Sequence, residues 1–77
     1  MLFLIEYDRT RGEIVTFREF EGEESRSAEQ ARLEMELDLN RRGVEREVVL
    51  LEAENEQALR RTHRRYFESL TELVNTF

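Results

Sequence analysis

Apolar residues gather in three short runs and two longer periodic stretches. Residues 2–7, LFLIEY, and 14–20, IVTFREF, are rich in β-branched and aromatic side chains, and DRTRGE between them puts Gly12 at a turn position. This pattern predicts a β-hairpin. The acidic stretch EGEES, residues 21–25, ends the second strand, and Ser27 with Gln30 three residues on reads as a capping box that opens a helix. That helix should run to about Arg42, where Gly43 stops it. Residues 44–53, VEREVVLLEA, predict a third strand, apolar at four consecutive positions from Val48 to Leu51. Asn55 suits the N-cap of a last helix, which the spacing Leu59, Tyr66, Leu70, Leu73, Phe77 carries close to the end of the chain.

The order ββαβα, with no repeat, linker or low-complexity segment, predicts a single α+β domain over residues 1–77. A right-handed crossover through the first helix brings the third strand beside the first, giving a three-stranded antiparallel sheet of order 2-1-3. The same handedness argument, extended to the last helix, packs both helices on one face of that sheet. In architecture the arrangement resembles part of a ferredoxin-like domain, a likeness that implies nothing about activity.

Patterning within the elements raises a second expectation. LFLI, IVTF and VVLL each put apolar groups on both faces of a strand, where a sheet with one wet face would alternate. Either the two helices cover opposite faces, or, as the connectivity favours, both lie on one face and the other is covered by something outside the chain. In the first helix Ala28, Ala31, Met35 and Leu39 form an inward stripe, while Leu33 and Leu37 project from nearly the opposite side. Those two leucines meet either the second helix or a partner.

Size sharpens the question of association. A domain of 77 residues buries only about 60% of the surface its unfolded chain exposes, and with no cysteine it has neither disulfides nor a thiolate metal site. Small folds of this kind gain stability by pairing with a copy or a partner. A homodimer is therefore the expected state. The opening MLFLI has no basic region before it and no cleavage site after it, and no apolar run is long enough for a membrane, so a cytoplasmic location is expected.

Charge carries the remaining candidate chemistry. The net charge is −6, yet residues 59–67, LRRTHRRYF, hold four arginines and the only histidine. On a continuous helix Leu59, Tyr66, Leu70, Leu73 and Phe77 fall within about 60° of one another, leaving Arg60, Arg61, Arg64 and Arg65 on the solvent side with Glu68 and Glu72. Four arginines on one face could grip phosphates, which makes nucleic-acid binding the alternative function. The rest of the chain sums to −10, that is −6 less the +4 of this segment, and would repel a polyanion. Pairing of the arginines with acids of the same fold or of a partner fits this imbalance better, and Glu13, Glu19, Glu21, Glu23 and Glu24 are candidates.

Nothing in the sequence assembles a catalytic or cofactor site. His63 falls at the edge of the apolar face, where a histidine usually packs and finds a hydrogen bond, and no second histidine exists to share a zinc ion. EGEE lacks the alternating ligands of a calcium loop, and three isolated glycines cannot cradle a phosphate chain. The sequence thus reads as a non-enzymatic protein-interaction domain, with no cofactor or metal expected.

Overall fold

The protein was described as a computed structural model, in which the described residues are 1–68. Three strands, β1 (Leu2–Asp8), β2 (Glu13–Phe20) and β3 (Glu47–Glu52), form one antiparallel sheet in the order β2-β1-β3. Helix α1 (Ser25–Arg42) joins β2 to β3, and a short helix α2 (Glu56–Thr62) follows β3. The α+β class and the strand order are those the sequence predicts.

The hairpin turn is built by Asp8. Its carboxylate accepts the N–H groups of Thr10 and Arg11 at 3.0 and 3.2 Å, and its carbonyl accepts that of Gly12 at 2.8 Å. Gly12 has φ +66°, a left-handed conformation that glycine adopts without strain. Further along, the register slips between Glu6 and Tyr7, so that Val15 is an extra residue on β2. This bulge turns Ile14 onto the same face as Phe17, where both pack on the cluster around Phe3 and Ile5.

Helix α1 starts two residues before the expected capping box. A 3-10 turn, Gly22–Glu24, leads into it, and the Glu24 carboxylate accepts the Glu21 N–H at 2.9 Å, opening the coil upstream of Ser27. Its end is as expected: Gly43 takes φ +67°, its N–H reaches the Asn40 carbonyl, and the N–H of Val44 reaches that of Leu39.

Two core layers lie on opposite sides of the sheet. On one face Leu4 and Phe20 pack with Ala28 of α1, flanked by Ala31, Met35, Val48 and Leu50. On the other, Phe3, Ile5 and Tyr7 pack with Leu59 of α2 and with Tyr66, flanked by Phe17, Val49, Leu51 and Phe67. The helices therefore sandwich the sheet, which corrects the expectation that both pack on one face. The handedness rule governs a connection between two strands, and so it fixes the side of α1. It does not apply to α2, after which no further strand follows among the described residues. Apolar residues on both faces of β1 and β3 then draw α2 to the side α1 leaves open.

The last helix is also shorter than expected. Helix α2 begins as predicted, with Asn55 accepting the Ala58 N–H at 2.8 Å, but it ends at Thr62. Thr62 turns its hydroxyl back onto the carbonyls of Ala58 and Leu59, and His63 leaves the helix at φ −127°, ψ 52°. A 3-10 turn, Arg64–Tyr66, follows. The expected continuation through Leu70, Leu73 and Phe77 lies outside the described residues. No described helix is long and apolar enough to cross a membrane.

Candidate interaction surfaces

The break at His63 scatters the arginine cluster. Arg60 and Arg61 sit on α2, while Arg64 and Arg65 belong to the following turn. Arg60 pairs with Glu56 at 3.4 Å and lies over the Phe67 ring; Arg64 pairs with Glu68 at 2.8 Å. Arg65 reaches Glu47 at 3.3 Å and stacks over Tyr66. Of the four, Arg61 alone has no ion pair among the described residues. The acids that meet this group are Glu47, Glu56 and Glu68, not those of the second strand and its following loop. Charge left over to hold a phosphate backbone is small.

Glu47, at the start of β3, is the centre of the polar structure on this side, and the sequence does not single it out. Its carboxylate accepts from the Tyr66 hydroxyl, from Arg9 at 2.9 Å and from Arg65. The Tyr66 hydroxyl, then Arg9 and Arg65, hold the Glu47 carboxyl below its usual range, although burial pushes the other way. Tyr66 is pushed above the usual phenol range by its burial, and by the bond to Glu47 and that group's charge. Tyr7 packs edge-on against Tyr66 and donates to the Arg65 carbonyl at 3.3 Å. One signal pointed here: antiparallel pairing of the first and third strands puts Glu47 opposite Tyr7, on the face where buried phenols need acceptors.

On the α1 face Glu6 and Asp8 are buried beside Arg46. Glu6 accepts from Thr16 at 2.8 Å and lies 3.3 Å from the Arg46 Nε, and Asp8 lies 4.0 Å from an Arg46 amino group. A shallow groove of about 540 Å³ opens between this cluster and α1, lined among others by Glu36, Asn40, Val44 and Val48. Its carboxylates face guanidinium groups or solvent, and no nucleophile stands beside a base within it. Among the described residues no three of histidine, aspartate and glutamate converge as a metal ion would require. His63 is half-buried and tilted against Tyr66, its ring making no hydrogen bond among the described residues.

Leu33 and Leu37 stand on the outer surface of α1, 47% and 54% exposed. Because α2 lies beyond the sheet, it does not cover them. A second uncovered feature is β3 itself. Every residue from Glu47 to Leu51 keeps part of its surface, whereas Phe3, Leu4 and Ile5 beside them on β1 keep none. Comparison with protein-family models, with curated proteins and with solved structures finds no match.

Proposed function

We propose that this chain is a protein-interaction domain that works as a homodimer and carries no catalytic chemistry of its own. A bare sheet face is not the reason, since α1 and α2 cover both. The observation that carries the reading is the half-buried run Val48–Leu51, four apolar residues on an edge strand with no strand beyond it among the described residues. Natural sheets blunt such edges with lysine, proline, charge or a bulge. Strand β2 follows that practice, with its bulge at Val15 and with Glu13, Arg18 and Glu19 exposed. Strand β3 pairs without irregularity and has charge only at its two ends.

Leaving large apolar side chains partly wet forgoes a share of the roughly 1.5 to 3 kcal/mol that full burial of each supplies. A second copy recovers it. Light scattering at micromolar concentration is expected to report about twice the 9.3 kDa of one chain, with a melting temperature that rises with protein concentration. A monomer at high concentration with a concentration-independent melt overturns the reading.

A further inference from the structure

Resting on the homodimer reading, the geometry points to one mode of association: two copies join β3 to β3, antiparallel, across a two-fold axis at Val49, making a six-stranded sheet.

The backbone groups of β3 without a partner among the described residues set the pattern. Met1 and Ala53 bond each other twice, amine to carbonyl at 3.0 Å and N–H to carbonyl at 3.1 Å. Ala53 therefore points at β1, and along the regular ladder so do Leu51, Val49 and Glu47. The N–H and C=O groups of Val48, Leu50 and Glu52 consequently aim outward, ready to extend the sheet. A partner strand satisfies them and covers the edge at once.

Which copy-to-copy register is allowed follows from the faces. A two-fold axis perpendicular to the sheet keeps each face on its own side, so residues of one face must oppose residues of the same face. With the axis at Val49, Val48 opposes Leu50 of the other copy, both on the α1 face, and Arg46 opposes Glu52 of the other copy. Each contact occurs twice. One Arg46 amino group makes no hydrogen bond among the described residues and can turn to that carboxylate. Moving the axis by one residue sets Glu52 against an apolar valine instead, Val48 or Val44.

The helices fit the same arrangement. Helix α1 lies chiefly over β1 and β3, meeting β2 at Phe20. With strands about 4.8 Å apart, a helix between β1 and β3 stands about 10 Å from its copy across the axis, which is helix-packing distance. Glu36 and Asn40 line the groove beside Val44 and Val48. Leu33, three and seven positions before them, shares that flank and comes to face the α1 of the second copy. A single interface then covers both the edge of β3 and the exposed Leu33.

Cysteine chemistry tests this, because the chain has no thiol of its own. Val49 would face its own copy in a non-hydrogen-bonded pair, about 4.5 Å between Cα atoms, within the range of a disulfide. Val49→Cys, left in air, is expected to become a disulfide-linked dimer on a non-reducing gel at least about tenfold faster than Leu37→Cys, with the reduced protein keeping the native circular dichroism. A dimer by light scattering in which Val49→Cys links no faster than Leu37→Cys overturns the edge pairing and leaves the homodimer standing. Preferential linking through Leu50→Cys overturns the register. A monomer overturns both.

Discussion

Tyr66 donates its hydroxyl to Glu47, nineteen positions before it in the chain, and so ties the turn after α2 to the first residue of β3. Around that bond Arg65 lies over the Tyr66 ring and Tyr7 meets it edge-on at 5.1 Å between centroids. The segment that ends α2 is held less by its own short helix than by this contact with the sheet.

Replacing Tyr66 by phenylalanine keeps the ring packing and removes the bond. A hydrogen bond to a charged group contributes about 1.5 to 3 kcal/mol, and Arg9 and Arg65 remain to hold Glu47, so the expected loss is near the lower figure. Urea denaturation at pH 7 and fixed protein concentration measures it. Unchanged stability would show that the bond adds nothing over hydration of the two groups.

The same pair shapes stability at both ends of the pH scale. Glu47 has a lowered pKa in the fold, so its contribution is complete above the unfolded value of about 4.3 and is lost as pH falls through the folded value. Tyr66 has a raised one, so its contribution is complete below about 10 and is lost as pH rises through the folded value. In Tyr66→Phe the acid loss should be shallower and the alkaline loss smaller than in the parent. Melting curves from pH 3 to 11 show the difference, and parallel profiles would contradict it.

Separate core layers predict independent energetics. Leu59 is fully buried on the α2 face, and Leu59→Ala should cost about 3 kcal/mol. Met35 packs on the α1 face, across the sheet. Adding Met35→Ala to Leu59→Ala should sum to within about 0.5 kcal/mol, as for sites without shared contacts. A coupling well above that would mean the layers are not independent.

For His63 the main chain carries the bonds: its N–H reaches the Leu59 carbonyl at 2.9 Å and its carbonyl accepts from Tyr66 at 3.2 Å. Alanine preserves both. His63→Ala should therefore cost about 1 kcal/mol or less, through lost packing against Tyr66. A larger loss would reveal a bond made by the ring itself.

Local chemistry was legible in the sequence. The Gly43 stop, the Asn55 cap, the inward stripe of α1 and the third strand follow from propensity, capping and periodicity, each of which acts within a few residues. What escaped depends on distant partners. Leu59 and Tyr66, seven apart, suit a continuous helix, and only the Thr62 hydroxyl turned on its own backbone and the pull of Glu47 on Tyr66 show why the chain departs from one. The side taken by α2 does not follow from the crossover rule, which governs strand-to-strand connections, whereas no strand follows α2 among the described residues. The doubly apolar run VVLL already held the signal for it. The spacing of Leu33 and Leu37 already sets them off the inward stripe, where both are exposed, whereas Glu47 is one glutamate among many acids and has no local mark of its role.

Strand β1 is bonded along both edges and packed on both faces. Exposing the amides of Phe3 and Ile5 takes the departure of β3, and exposing that of Leu4 takes the departure of β2, each against a core layer on both faces. Equal deuterium exchange at all three should therefore mark loss of both edge strands, the unfolding of the whole domain, while faster exchange at Phe3 and Ile5 than at Leu4 should report local opening of β3.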